Sequence, residues 1–220
     1  MSEMDGQDNT AVAKRTARPT AEAILAAACR VIVERGVDAT RIADIAREAG
    51  TSTGTVHYYF ETKDDVLLAA LEWANERPYI RVDELLGREA DDLSRLATLL
   101  ELSIPYPGEP REEWVFFLEL WDLILHRPEL LAAGESTDSR WRSYFFDVVR
   151  SGTSNGVFRP IVEPDEVADR LVALVDGLGL KAVLGGSWMT PERMREILLR
   201  FAADELRVSY EELDRRARAG

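Results

Sequence analysis

Cysteine and long apolar segments are both scarce in this 220-residue chain, and each scarcity narrows the class of protein. A single cysteine, Cys29, excludes an intrachain disulfide and suits a reducing compartment, and its apolar neighbours favour a buried, inert thiol. The longest apolar run, residues 171–186, is interrupted by Asp176 and Lys181 and is therefore a poor membrane span. No targeting signal is visible, so we expect a cytoplasmic protein with no membrane partner.

Histidine is equally scarce, which leaves few candidate catalytic residues. The chain has His57, in a short polar segment, and His126, which precedes a proline where a helix dipole explains it. The sequence contains no metal-ligand spacing, nucleophile elbow or phosphate-binding glycine loop. We therefore expect no metal, no cofactor and no catalytic residue. A small all-α enzyme is an alternative that no motif supports.

Strand patterns are absent as well, and helical periodicity occupies most of the chain. Apolar residues recur three and four positions apart, and Pro105, Pro107 and Pro128 mark breaks between segments. Pro78 lies inside one segment and predicts either a kink or an end and restart there. A short apolar stretch at 157–162 is interpreted as a loop. The pattern predicts an all-α fold with helices over residues 20–35, 41–49, 53–59, 63–86, 91–103, 112–126, 136–152, 165–184 and 192–207.

The best-defined motif is a helix-turn-helix. Thr40 is a candidate N-cap for its first helix, and Gly50 can adopt the positive φ of a tight turn after it. Ser52 can cap a second helix, residues 53–59, in which Val56 packs inward. So short and polar a helix is not stable alone, and its hydroxyls, imidazole and bare backbone favour a role in reading a DNA groove.

The sequence of this motif, TRIADIAREAGTSTGTVHYYFETK from residue 40 to residue 63, resembles the DNA-binding domain of the TetR family of bacterial transcriptional regulators. The resemblance covers roughly residues 20–71. It implies that Thr53, Gly54 and His57 face base edges. It also implies phosphate contacts and a surrounding DNA-binding surface made by Thr40, Arg41, Ser52, Thr55, Tyr58, Tyr59 and Lys63. Where this chain has His57 the family most often has tyrosine, so the base preference departs from the family pattern there.

The overall charge of −13 would argue against DNA binding if it were evenly spread. Residues 14–63, however, contain eight Lys/Arg and six Asp/Glu, so the acidity lies in the rest of the chain. An acidic body can restrict DNA to one productive face. The alternative interpretation is simply an acidic bacterial protein.

The domain organisation follows from these patterns. Residues 1–18 are predicted to be a disordered tail with a small basic cluster, and residues 19–71 are predicted to form the helix-turn-helix domain. A larger helical domain for ligand binding and dimerisation is predicted over residues 72–208. Residues 209–220 are interpreted as a C-terminal tail.

Aromatic residues are concentrated in the second domain. Buried Trp and Tyr need polar partners, so several together favour the wall of a cavity, although ordinary core is the alternative. The segments FFLELWDLILHRPELLA and DGLGLKAVLGG resemble the C-terminal domain of the BetI-like branch of the same family. We predict a pocket for a small-molecule effector of unknown identity, lined by Trp73, Tyr79, Phe117, Trp121, Trp141, Tyr144 and Phe145.

Helix 165–184 carries apolar residues on two opposite faces, and one globular core covers only one of them. We therefore predict a homodimer in which two such helices and the last long helices form a four-helix bundle. The predicted interface consists of Val172, Val175, Gly179, Val183, Ile197 and Phe201. The alternative is a central helix of a monomer.

Taken together, the features predict a homodimeric, ligand-responsive transcriptional regulator. Repression is the commonest activity that the resemblance implies, through a palindromic double-stranded DNA operator bound by two copies of helix 53–59. Another possibility is a helical ligand-binding module with an unused DNA-binding head, but the residues around Gly50 and Lys63 do not favour it.

Overall fold

The structure is a computed structural model that describes residues 20–126 and 131–219, apart from the side chains of residues 75, 77 and 131–138. Every regular element in these ranges is a helix, which confirms the predicted all-α fold. The predicted disordered tail, residues 1–18, lies outside the described residues. The helices are α1 (Ala21–Ala39), α2 (Ile42–Glu48), α3 (Thr53–Tyr59), α4 (Lys63–Leu86), α5 (Asp92–Leu102), α6 (Glu109–His126), α7 (Leu131–Ser154), α8 (Pro164–Val183), α9 (Pro191–Leu206) and α10 (Tyr210–Ala217).

The first three helices and the first turns of α4 form a small N-terminal domain around one apolar core. Ile24, Ile32, Ile45, Val56 and Leu71 are fully buried in it. Helix α3 contributes little to this core, because Val56 is the one buried residue among its seven. The other side chains of α3 are therefore available for contacts outside the domain.

The larger domain is built from α5 and from α7 to α10, and its core includes Phe145, Leu171 and Leu198. The segment between α7 and α8 is a loop, as interpreted from the sequence. Its Phe158 is buried against Gly152, where a Cβ would come within 2.2 Å of the Phe158 ring. The missing side chain at that position is what lets the loop close onto α7.

Helix α6 joins the two cores. Phe116 and Leu120 pack in the N-terminal core beside α1 and α4, whereas Trp114 packs against the larger core. The Glu119 carboxylate also accepts a hydrogen bond from the backbone N–H of Val37 at 3.0 Å. The two domains are therefore connected through α6 as well as through the long helix α4.

Two helix boundaries next to prolines are now defined. Helix α4 continues as one element through Pro78, which excludes the predicted alternative of an end and restart there and leaves that of a kink. Helix α6 begins at Glu109, three residues earlier than predicted, because Pro110 lies in its first turn, where a missing N–H costs no helical hydrogen bond. Helix α7 already includes Leu131, where the described residues resume, five residues before its predicted start.

The prediction of a C-terminal tail is wrong for residues 210–217, which form α10. Leu213 and Ala217 lie four positions apart and are buried, and the helix packs on α5 and α9. Arg195 adds a salt bridge to Asp214 at 2.6 Å. The apolar signal in the sequence was a single pair of residues within a highly charged segment, which is too little to indicate a helix.

Candidate DNA-binding surface and small-molecule cavity

The ends of α3 fix its position on the N-terminal domain. Gly50 adopts a φ of 63° in the turn before it, a conformation that favours glycine. The Ser52 hydroxyl then accepts a hydrogen bond from the Thr55 backbone N–H at 3.1 Å, as an N-cap does. These contacts leave Thr53 and Gly54 exposed at the start of the helix.

Gly54 has no packing reason to be glycine. A Cβ added there would meet the Ser52 hydroxyl oxygen at 3.7 Å, which is an ordinary van der Waals distance. Its φ does not lie in the left-handed region that favours glycine either. A bare backbone at an exposed helix start is therefore explained best by the close approach of another molecule.

His57 and the two tyrosines after it form the outer surface of α3. The imidazole Nδ1–H of His57 donates to the Glu61 carbonyl at 3.3 Å, which leaves Nε2 as an acceptor in the neutral ring. Tyr58 is 70% exposed and Tyr59 38% exposed, with their rings perpendicular and 5.0 Å apart. Aromatic hydroxyls held this way suit contacts with phosphate oxygens.

The predicted phosphate contact by the Thr40 side chain is wrong. Thr40 is fully buried, and its hydroxyl donates to the Gly36 carbonyl at 2.8 Å. Gly36 has a φ of 77° and interrupts α1, so its carbonyl needs a partner outside the helical pattern. The N-cap of α2 is Arg41, with no side-chain cap hydrogen bond, and Thr40 instead stabilises the break in α1.

Arg41 and Lys63 are the two cations among the residues predicted to contact DNA. Arg41 is exposed and forms no ion pair within the described residues, whereas Arg30, Arg35 and Arg47 all pair with acidic side chains of the same domain. The Lys63 ammonium donates to the Asp38 carbonyl at 3.1 Å at the end of α1. Lys63 therefore holds α1 and α4 together as well as carrying positive charge.

A cavity of about 100 Å³ lies between α4, the end of α5, α6, α7 and α8. Three of the seven predicted pocket residues, Tyr79, Phe117 and Trp141, line it. The wall also includes four residues that the sequence analysis did not assign to the pocket and that bear on its chemistry: Ser103, Glu113, Trp114 and Asp176.

The other four predicted pocket residues lie elsewhere. Trp73 lines a separate cavity of about 420 Å³ between α1, α4 and α6. Trp121 contacts Phe117 at 4.6 Å between ring centroids but does not line the smaller cavity. The Tyr144 hydroxyl donates to Asp83 at 2.6 Å, and Phe145 is fully buried core. Neighbouring aromatic residues of one helix point in different directions, so they do not all line the same cavity.

Trp114 is the aromatic residue of this wall that the pocket prediction missed. Its indole N–H donates to the Ser103 carbonyl at 3.1 Å, and its ring meets Phe117 edge-on at 5.9 Å. The available signal was its place in the aromatic stripe of α6, together with the hydrogen-bond partner that a half-buried indole needs. It supplies a second aromatic wall on α6, next to that of Phe117.

Charged groups of both signs lie near the cavity. Glu113 accepts a hydrogen bond from Arg81 at 3.0 Å, which offsets its charge, and Asp176 adds a second carboxylate. On another side the Arg140 guanidinium lies 4.3 Å from the centroid of the Tyr79 ring. The lining of the cavity itself therefore contains two carboxylates and no lysine or arginine among the described residues.

The predicted dimer interface divides into two groups. Val175, Gly179 and Val183 are buried within the chain itself, so assigning them to a partner-facing surface is wrong. The reason is α6, whose Trp114 ring lies against Gly179. Val172, Ile197 and Phe201 are partly exposed and keep their place in the prediction. Leu184 and Trp188 are exposed near them in the chain, at 68% and 65%.

Within the described ranges, no group of three or more His, Cys, Asp or Glu side chains is arranged to hold a metal ion. Among the same residues, none of the helices combines the length and the apolar character that a bilayer crossing requires.

Comparisons with known proteins fit this arrangement. Residues 24–70 match the family described as bacterial regulatory proteins, tetR family. Residues 93–207 match the C-terminal domain described as the BetI-type transcriptional repressor. A protein described as a transcriptional regulator from Saccharomonospora viridis, solved in complex with choline, is 37% identical and superposes with a TM-score of 0.78, covering 83% of this chain and 94% of that one.

Two further relatives extend over most of the chain. The HTH-type transcriptional regulator PksA of Bacillus subtilis is 27% identical over 188 residues, which is 80% of this chain and 84% of PksA. The HTH-type transcriptional regulator BetI of Stenotrophomonas maltophilia is 27% identical over 182 residues, 80% of this chain and 87% of BetI. The chain therefore belongs to the TetR family of bacterial transcriptional regulators, with a BetI-type C-terminal domain, and is a DNA-binding regulator.

Proposed function

We propose that the protein is a cytoplasmic, homodimeric repressor that leaves a palindromic operator when a compact organic cation of the choline type enters the aromatic cavity. The observation that carries the proposal is the wall of that cavity, where Tyr79, Trp114, Phe117 and Trp141 surround the space beside the Asp176 carboxylate. The other parts of the proposal are the contacts of α3 with DNA and the dimer interface.

The chemistry of the wall favours a cation. The face of an aromatic ring attracts a positive charge, and several rings together form the cage by which proteins recognise quaternary ammonium groups. Such groups carry no N–H to donate, so apolar and aromatic walls suit them better than hydrogen-bond acceptors do. The Asp176 carboxylate adds attraction without needing a direct hydrogen bond to the ligand.

The size of the cavity favours a small ligand. Sites for drug-sized molecules occupy roughly 300–1,000 Å³, well above the 100 Å³ found here. A long acyl chain would need a larger opening between the helices. The choline bound by the S. viridis regulator is a compact quaternary ammonium. That regulator is 37% identical to this chain, which supports the same class of effector here.

We propose that α3 enters the major groove, with Thr53, Gly54 and His57 facing base edges. Their exposure and the absence of a packing role for Gly54 support this assignment. Ser52, Thr55, Tyr58, Tyr59, Arg41 and Lys63 then contact phosphates and set the register of the helix on the duplex.

We propose a dimer interface on the outer faces of α8 and α9. Val172, Ile197 and Phe201 are partly exposed there, and Leu184 and Trp188 add large exposed apolar side chains. Where such side chains form one contiguous surface, they mark an association site in a soluble protein. Two-fold pairing through it presents two α3 helices to a palindromic operator.

Binding of choline tests the proposed effector class. Calorimetry should show that choline binds and that 3,3-dimethylbutan-1-ol, which has the same shape but no charge, binds about tenfold or more weakly because it lacks the cation–π and Coulomb attraction. Asp176→Asn should weaken the binding of choline and leave the affinity for the alcohol unchanged. Asp169→Asn, on the same helix but paired with Arg142 outside the cavity, is the matched control. Equal binding of both compounds, or binding of neither, would refute the proposal.

The named relatives are transcriptional regulators, and we propose that this chain performs no catalysis either. Choline incubated with the protein at equimolar concentration should be recovered chemically unchanged by mass spectrometry. Conversion of choline to any product would revive the alternative of a small all-α enzyme.

A further inference from the structure

The two glycines in the second half of α8 have opposite surroundings. A Cβ added at Gly177 would meet no atom within 4 Å, because that position faces away from the rest of the chain. A Cβ added at Gly179 would come within 2.1 Å of Cη2, 2.3 Å of Cζ2 and 2.6 Å of Cζ3 of Trp114. Real side chains do not approach so closely, so the Trp114 ring occupies the volume that any residue other than glycine would need.

The Trp114 ring is held on its other edges as well. The Ser103 carbonyl, on a residue that is 2% exposed, accepts the indole N–H at 3.1 Å, and the Phe117 ring meets Trp114 at 87°. Trp114 also borders the cavity that it lines together with Phe117 and Trp141. The space proposed for the effector is therefore directly beside a ring that is displaced from Gly179.

We propose that Gly179 is a positioning residue for effector recognition: by leaving room for the Trp114 ring against α8, it keeps the cavity open and sets the largest cationic head group that fits. This inference rests on the proposed function, because it assigns a specificity role within the same site. It also reverses the expectation from the sequence, in which Gly179 served close approach of a second chain.

The primary test compares Gly179→Ala with Gly177→Ala, its matched control two residues away. In Gly179→Ala the methyl group displaces Trp114, and calorimetry should show choline affinity reduced about tenfold or more, the change that overpacking a buried site produces. Operator binding without choline should persist, so the variant is a repressor that no longer responds. Gly177→Ala should bind choline as the wild type does.

A second comparison separates a change of cavity shape from general destabilisation. Trp114→Phe removes the ring atoms nearest Gly179 and enlarges the cavity, so the preference for choline over the bulkier triethylcholine should decrease relative to wild type. Gly179→Ala should change that preference in the opposite direction. The double variant Trp114→Phe/Gly179→Ala should recover thermal stability and choline binding relative to Gly179→Ala alone, because the clash has been removed.

A readout without ligand distinguishes failure of this inference from failure of the proposed function. The indole N–H resonance of Trp114, assigned by its loss in Trp114→Phe, should shift in Gly179→Ala and stay in place in Gly177→Ala. If wild-type protein ignores choline but this shift occurs, the effector class is wrong and the role of Gly179 stands. The inference is overturned if Gly179→Ala leaves the resonance unmoved, if it binds choline like wild type, or if Gly177→Ala has the same effects.

Discussion

Substitutions at different residues of the DNA-binding surface should have different effects, because the residues have different partners within the chain. Lys63 is tied to the Asp38 carbonyl, so its loss affects the fold of the domain as well as any phosphate contact. Arg41 has no ion-pair partner among the described residues and carries its charge on the surface. Arg41 is therefore the cleaner probe of contact with the DNA backbone, and His57 is the probe of base recognition.

Arg41→Ala and His57→Ala should differ in what they change. Arg41→Ala should weaken binding to cognate and scrambled duplexes alike, because one phosphate contact is lost. The slope of log K against log salt concentration should decrease in magnitude by about one. His57→Ala should relax discrimination at one operator position by about 1–3 kcal/mol. Fluorescence anisotropy over a salt series measures both quantities.

Thr53→Ala is the control at the start of α3. Because Thr53 is proposed to face the bases, this variant should change sequence specificity and leave the dependence of binding on salt concentration unchanged. The assignment of His57 is wrong if its alanine variant loses the same affinity on cognate and scrambled duplexes.

Sequence spacing predicted the surface of α3 but not the residues fixed by contacts between elements. Exposure of Thr53, Gly54 and His57 follows from one helix with one inward residue. The burial of Thr40 depends instead on the positive φ of Gly36, and the position of Gly179 depends on α6. Neither fact is encoded in the local pattern around the residue concerned.

At the scale of elements, two helices connect the cavity to the DNA-binding domain. The sequence indicated α4 alone, with Pro78 as its weak point, but Pro78 itself lines the cavity. A substitution there would alter ligand contacts and the connector together. Helix α6 offers a separate link, because Glu119 reaches the Val37 backbone N–H beside the break in α1 while Trp114 and Phe117 line the cavity.

We predict that Glu119→Leu leaves choline affinity of the free protein near wild type and reduces the coupling between choline and operator. The leucine removes the acceptor at the interdomain contact, so movement of α6 is passed less well to α1. Calorimetry of choline binding with and without operator measures the coupling, for which 1–3 kcal/mol is typical, in order of magnitude about fivefold to 150-fold.

Glu119→Gln is the matched control, since its amide oxygen can still accept the Val37 hydrogen bond and coupling should remain. Full coupling in the leucine variant would exclude this route.

Helix α10 should be sensitive to acid. The hydrogen bond from Arg195 to Asp214 lowers the pKa of that carboxyl below its ordinary value. A lowered folded-state pKa means that the ionised form stabilises docking above the unfolded value of about 3.9, and that this contribution is lost as the pH falls through the folded value. Methyl resonances of Leu213 should therefore report undocking of α10 below about pH 4.

Asp214→Asn should lose the Arg195 contribution at every pH and show a flatter acid response. An identical pH profile in both proteins would contradict the role given to this carboxylate. That α10 exists at all could not be predicted from its charged sequence, because the ion pair with Arg195 and two buried side chains stabilise it.

At the scale of the whole molecule, the proposed recognition of a palindromic operator uses two copies of the chain. Phe201→Glu should place a charge in the proposed α8 and α9 interface, so sedimentation should show monomers at concentrations where the wild type is dimeric. Operator affinity should fall with it, because a monomer contacts one half-site. Leu125→Glu, at a 79% exposed apolar residue on α6, should change neither property. A dimeric Phe201→Glu protein would place the interface elsewhere.

The general architecture of the molecule was accessible from sequence, because helical periodicity and the helix-turn-helix spacing are local. The cavity was accessible only in outline, since Tyr79, Phe117 and Trp141 come from three helices whose packing no spacing rule specifies. Its volume, and the carboxylates beside it, became visible only when α4, α6, α7 and α8 were assembled.

The most direct test of the account is release of operator by choline. A duplex selected by the protein from a randomised library, labelled and followed by fluorescence anisotropy, reports operator affinity at zero and saturating choline. The account predicts that choline weakens operator binding by about fivefold to 150-fold, while saturating 3,3-dimethylbutan-1-ol leaves it unchanged. Operator affinity that is the same with and without saturating choline, or reduced equally by the neutral alcohol, would contradict it.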